Sequence, residues 1–496
     1  MKKIFVGILL VLIAIYAVLL IPDSKPRLVE FEGGSPFVWN RDAYWQTLEN
    51  QYLEAQKIGG SVLQSRINSG LVWLNILTDS INHHTFTPDD SIFNEVESTL
   101  FSLSPEVAAC RGQFGDYLVS FNHLRQAIKK QSWGWDMNNR EVRDCMYRIL
   151  YGGRTATEQI MLQAPADSIP ALTMVEEVPS ATPSARVLGV TIHSGDILVS
   201  RGGAPTSALI ARGNDYPGNF SHVALVYVDS RTSLVSLIES HIEKGVIVAS
   251  LEQYITDTKL RVMVLRLRPN LPHMVADPML PHKAANLVLQ RAQNEHIPYD
   301  FDMDFADASK LFCSEVASDA YRQVGITLWM GLSHISTPGV KSWLAAFGVT
   351  HFETQEPSDL EYDPQLQVVA EWRDPETLYK DQVDNAVVDV MLEGAEKGEP
   401  LHYAWYMLPI ARLVKAYSVI LNWFEKVGPI PEGMSATAGL RNKWFSATHT
   451  KIKVRVMELA DQFKLQNGYM PPYWELFKLA QQAKSEEMKR LMKCNP

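Results

Sequence analysis

Along the first third of the chain the apolar positions step by three and four. Trp45, Leu48, Tyr52 and Ala55 form one such stripe, and Leu63, Ile67, Leu71 and Leu74 form another. The segment 42–162 is therefore predicted to be helical, because that spacing lines one face of an α-helix. Ser104-Pro105-Glu106 reads as a helix start, with a capping residue, proline at the first helical position and then an acid. Further on the period changes. RVLGVTI, ILVSR, SHVALVYVD, VSLIESH, GVIVAS and RVMVLRLR are short runs rich in β-branched and aromatic residues, which predict strands, with helices expected near 207–212 and 284–293. The stretch QAPADSIPALTMVEEVPSATPS between the two regimes carries four prolines and reads as a linker. Near the C-terminus, LHYAWYMLPIARLVKAYSVILNWFEKV is apolar but interrupted by Pro409, Arg412 and Lys415. It is expected to be a buried helix packed on the N-terminal helical region rather than a membrane span. The pattern divides the chain into an apolar leader at 1–27, a helical domain at 28–162, a linker at 163–185, an α+β domain at 186–350 and a mostly helical region at 351–496.

The leader MKKIFVGILLVLIAIYAVLLIPDSKPR changes the picture of where the chain resides. Lys2 and Lys3 precede an uninterrupted apolar run of 18 residues, 4–21, which as a helix could just cross the ~30 Å hydrocarbon core. It is long for a secretory signal and lacks a small-x-small cleavage site. The expectation is an uncleaved anchor in a bacterial-type inner membrane with the bulk of the chain periplasmic, or a secreted protein if the segment is removed. The length of 496 residues fits two or three domains, and the net charge of −10, without a basic aromatic-interleaved stripe, argues against a nucleic-acid partner. Cys110 and Cys145 fall in two predicted helices. In an oxidising compartment they could close a loop of about 36 residues, worth about 3–4 kcal/mol, or they are two unrelated buried thiols; the sequence leaves both open.

Candidate chemistry lies between Gly195 and Arg322. His222 opens the strand SHVALVYVD, and a hairpin turn centred on Ser230 and Arg231 would set it opposite Glu239, with Ala224 opposite Leu237 and Val226 opposite Val235. A carboxylate there would orient the imidazole, although Glu243, His241 or a backbone carbonyl are alternatives. Cys313 is expected in the first turn of an amphipathic helix capped from Asp302, Asp304, Asp307 or Ser309, where the free N–H groups would lower the thiol pKa and help hold an oxyanion. Asp196, after Gly195, reads as fixing a strand entry. The acidic run 300–307 lacks the glycine and terminal glutamate of a calcium loop.

The order GD, SH, E and FCSE resembles the circularly permuted papain-like amidases of the NlpC superfamily, the YiiX/YaeF-like branch, in which the histidine strand precedes the cysteine helix. The resemblance covers roughly 187–326 and rests on Gly195, Asp196, Ser221, His222, Glu239, Tyr299, Asp300 and the run from Phe312 through Glu315. It implies a permuted papain-like α+β core with a mostly antiparallel sheet, flanked by helical regions. Cys313 would be the nucleophile, His222 the general base and acid, and Glu239 the residue that orients it. The reaction would pass through an acyl-thioester and require no metal or organic cofactor. The substrate class that follows is an amide or ester, of a lipid or N-acyl compound or of a cell-wall peptide. Rival readings are a non-catalytic module that binds lipid or peptide in the same cleft, and a partner-binding scaffold.

Overall fold

In the computed structural model, residues 2–494 are described apart from 24–26, 30, 32, 40–41, 166–167 and 425. After α1 (Lys2–Leu19) come six helices: α2 (Asp42–Ala55), α3 (Gly60–His83), α4 (Ser91–Ala109), α5 (Phe114–Gln131), α6 (Arg140–Met146) and α7 (Gly152–Gln163). The stripes read from the sequence become their common core, with Ile67, Leu74, Val96, Phe121 and Leu124 fully buried. Pro105 does not start a helix; it sits inside α4. The Phe101 carbonyl, which loses its usual N–H donor to the proline ring, accepts the Ser104 hydroxyl at 2.9 Å instead. Cys110 and Cys145 are both free thiols and not a disulfide, Cys145 buried and Cys110 half-buried.

The strands β1 (Leu172–Met174), β2 (Ser184–Val187), β3 (Val190–His193), β4 (Ile197–Gly202), β5 (His222–Val228), β6 (Val235–His241), β7 (Gly245–Ser250), β8 (Lys259–Leu267), β9 (Ser333–His334), β10 (Glu353–Thr354) and β11 (Leu366–Trp372) follow. Seven of them form one antiparallel sheet in the order β1-β11-β8-β4-β5-β6-β7. Its outer members β1 and β11 lie beyond both ends of 186–350, one within the proline-rich stretch. Alternation along the strands serves two cores. Ile197, Val199, Val223, Leu225 and Met263 meet the helices α11 (Leu280–Asn294) and α12 (Cys313–Arg322), while Leu198, Val226, Leu237 and Val264 face the β2–β3 side. The short helices α8 (Pro205–Arg212), α9 (Leu251–Thr256) and α10 (Pro272–Ala276) connect these strands. Gly195 has φ +95°, and a Cβ there would strike Pro281 at the start of α11, so the turn into β4 requires glycine.

The remaining helices are α13 (Pro338–Phe347), α14 (Asp359–Tyr362), α15 (Pro375–Glu396), α16 (Leu408–Asn422), α17 (Ala436–Asn467) and α18 (Tyr473–Cys494). The helices α13, α15, α17 and α18 share a core that also takes in Phe312 and Cys313. The apolar run expected as a buried helix is α16, and it differs: Leu408, Pro409, Ala411 and Ser418 are buried, but Ile410, Leu413 and Trp423 are exposed. It packs on α17 and α1, not on the N-terminal helices.

The expected membrane anchor is also corrected. Among the described residues no helix is long and apolar enough to cross a membrane. Helix α1 begins with two lysines and stops at Leu19, short of Ile21. Its apolar part therefore rises about 24 Å at 1.5 Å per residue, less than the ~30 Å hydrocarbon core.

Candidate active site

The hairpin that carries the histidine is longer than the sequence reading had it. Asp229 N donates to the Leu234 carbonyl at 3.0 Å, and the Asp229 carboxylate accepts from Arg231 N, Thr232 N and the Thr232 hydroxyl, which closes the loop 230–233. Four loop residues in place of two shift the register by two: Ala224 faces Glu239 and Val226 faces Leu237. A shift of two keeps every side chain on its face. Glu239 is thus a diagonal neighbour of His222 and spans the gap with its longer side chain, so that His222 Nε2 donates to Glu239 Oε2 at 2.7 Å.

A second imidazole shares the carboxylate. His241 Nε2 lies 3.0 Å from Glu239 Oε1, and the two rings sit 5.3 Å apart, edge to face. Burial alone would push the Glu239 carboxyl up, but the hydrogen bond from His222 and the His241 imidazole beside it outweigh this and hold the group well below the usual carboxylate range. Glu239 is therefore an acceptor only, Nε2 of His222 carries the hydrogen, and Nδ1 is left as the basic nitrogen. Burial pushes the His222 pKa down, with Glu239 pulling against it, so the ring is neutral near pH 7. The donor atoms of His222, Glu239 and His241 lie within 4.8 Å of one another, the arrangement among the described residues that could hold a metal ion. An ion there would have to replace the His222–Glu239 hydrogen bond.

Cys313 is the first residue of α12, as its sequence suggested, but the cap is built differently. The acidic residues upstream close their own loop: Asp300 accepts from Asp302 N and Asp304 N, and Lys310 bridges to Asp302. The helix start is secured by Glu315, which reaches back to accept the Phe312 N–H at 2.5 Å. Pairing of β5 with β6 ends at Ala224 and Glu239. Beyond it the Cys313 thiol donates to the Ser221 carbonyl at 3.6 Å. The backbone just before His222 therefore touches the thiol.

Two features escape the sequence reading. Cys313 is only 2% exposed, and burial pushes its thiol up, with the nearby Glu356 carboxylate adding to the effect. The resting pair is thiol and neutral imidazole, opposite to the lowered thiol pKa expected from a helix N-terminus. Glu356 itself is buried, its Oε2 has no hydrogen-bond partner, and burial with Asp359 beside it pushes the carboxyl well up. It lies outside the matched motifs, and no local pattern marks it. Asp196 does what the sequence suggested, accepting His193 N at 2.7 Å and holding Arg266 by two bonds at 2.7 and 2.8 Å at the entry to β4.

Residues 191–370 match the model of a family described as permuted papain-like amidase enzyme, YaeF/YiiX, C92 family. Among solved structures, the crystal structure of metalloprotein yiiX from Escherichia coli O157:H7 is 21% identical, covers 36% of this chain and 95% of its own, and has a TM-score of 0.29. No curated protein matches.

Proposed function

We propose that residues 191–370, which match the permuted papain-like amidase model, form a cysteine-type amidase domain with Cys313, His222 and Glu239 as its nucleophile, base and orienting acid. The observation that carries this reading is the His222–Glu239 hydrogen bond at 2.7 Å together with a Cys313 thiol that donates to the carbonyl of Ser221, the residue before His222. His222 Nδ1 takes the Cys313 proton as the sulfur attacks the carbonyl carbon. The imidazolium then returns that proton to the departing amine, leaving an acyl-thioester. Water, deprotonated by the same nitrogen, releases the acid and restores the thiol. The N–H groups that start α12 face the developing oxyanion.

A thiol buried to this degree reaches a carbonyl only after its wall moves. Cys313 shares an apolar cluster with Tyr299, Met303, Ile335 and Phe352, which lie in loops before and after α12, and Tyr299 is close to the thiol. That apolar cluster favours a substrate that presents an apolar acyl group, so an N-acyl lipid amide is the first choice and a wall peptide the second. Side-by-side digestion separates them, freed fatty acid supporting the former and soluble peptide fragments the latter. Replacing Cys313 by Ala is expected to cut amide hydrolysis by about 10⁴-fold or more while the circular dichroism spectrum is kept. Undiminished turnover in that variant would overturn the assignment and favour a binding module on the same fold.

A further inference from the structure

Away from Cys313, a cavity of about 760 Å³ opens between α2, α4, α7, α18 and the end of α8, and none of Cys313, His222 or Glu239 lines it. That volume lies within the range of small-molecule sites. Its walls are largely aromatic. Trp45 and Trp474 stack with ring centres 5.8 Å apart and planes 7° from parallel. Tyr147 and Tyr151 stack at 4.6 Å and 6°, on a π-helical turn that interrupts the path from α6 to α7. Such turns break the α-helical ladder and recur at functional sites.

Within this aromatic lining stands the carboxylate of Glu49, only 7% exposed. Its oxygens accept from the Tyr469 hydroxyl at 2.5 Å and the Trp474 Nε1–H at 2.9 Å, both neutral donors, and it forms no ion pair among the described residues. The other buried charges of the wall cancel, Arg212 holding Asp389 by two bonds at 2.8 and 2.7 Å. Lys478 is on the wall too, but it is 59% exposed and bonded to Glu475. Among the described residues, the interior thus keeps one negative charge without a counter-charge. Ring faces are negative as well, so carboxylate and aromatic wall both favour a positive guest and neither favours an anion.

We propose that this cavity binds a small organic cation with an apolar or aromatic body, its ammonium beside Glu49 and its body against the rings of Trp45, Trp474 and the tyrosine pair. The assignment stands independently of the amidase reading. The test is titration of the full chain with 2-phenylethylammonium and with its neutral counterpart 2-phenylethanol, followed by calorimetry and tryptophan fluorescence. The ammonium is expected to bind saturably and about tenfold or more tighter than the alcohol. Glu49→Gln, checked for an unchanged melting temperature, should remove that preference while leaving the alcohol's affinity unchanged, and Trp45→Leu should weaken both ligands. Equal affinity for the two ligands in the native chain, no saturable binding of the ammonium, or an undiminished preference in a folded Glu49→Gln variant would each overturn the proposal. The comparison on the native chain decides even if a variant fails to fold.

Discussion

Glu239 answers to two imidazoles, and this sets the expected pH behaviour of the reaction. In the proposed reaction His222 serves as base only while neutral, so protonation should cut activity as pH falls through its pKa, which burial places below the ordinary 6.5. Because Glu239 opposes that shift, Glu239→Gln should move the acid limb of kcat/KM to still lower pH while cutting its plateau by about 10²–10⁴-fold. A pH–rate profile of the variant checks both, and an acid limb that moves upward would contradict the hydrogen-bond assignment. Glu315 gives a contrasting case. Burial pushes its carboxyl up to about 8, so it is mostly protonated at pH 7 while it accepts the Phe312 N–H. Glu315→Gln should therefore be nearly neutral in a denaturant melt, and Glu315→Ala should cost about 1 kcal/mol through the lost helix-start contact.

At the level of elements, the sequence made His222, Glu239 and Cys313 legible, because a period-2 strand and a helix start are local signals. It set the hairpin register two residues out, because the Asp229 loop is closed by side-chain hydrogen bonds that no turn dipeptide announces. β11 was not read, since its place depends on pairing across about a hundred residues to β8 and about two hundred to β1. The same applies to α17 (Ala436–Asn467), whose His449 is buried near Arg201 and Lys453. Burial and then the two cations push its pKa down to about 3, so the folded ring stays neutral. Unfolded, it protonates below about 6.5. The folded state should therefore lose about 1.4 kcal/mol per pH unit from this site as pH falls from 6.5 towards 3, and be unaffected by it above 6.5. Urea melts of His449→Gln against the native chain across that window measure the difference, which should shrink in the variant.

Across the whole molecule, the helical flank is joined to the sheet by buried ions. Arg154 clasps Glu361 at 2.7 and 2.8 Å, Arg125 meets Glu371 at 2.6 Å, and Glu158 receives Arg261 at 2.5 Å and Arg373 at 3.0 Å. Removing one partner leaves the others charged and buried, so Glu158→Ala should destabilise the chain by about 3–5 kcal/mol, read as a single earlier transition in a thermal melt. Two separate transitions in the native protein would mean that the flank and sheet fold apart.

That network also sets an order of events during synthesis. Arg125 and Arg154 leave the ribosome more than 200 residues ahead of Glu371 and Glu361, the acids that neutralise them. At about 5–20 residues per second the first helices wait on the order of 10–40 s without their counter-ions. A bundle that closed its core in that interval would have to bury the Arg125 guanidinium without an acid, and Arg154 with only Glu158 at 3.4 Å. The nascent flank is therefore expected to stay loosely packed and open to chaperones until β11 emerges, and to acquire protease resistance in one late step.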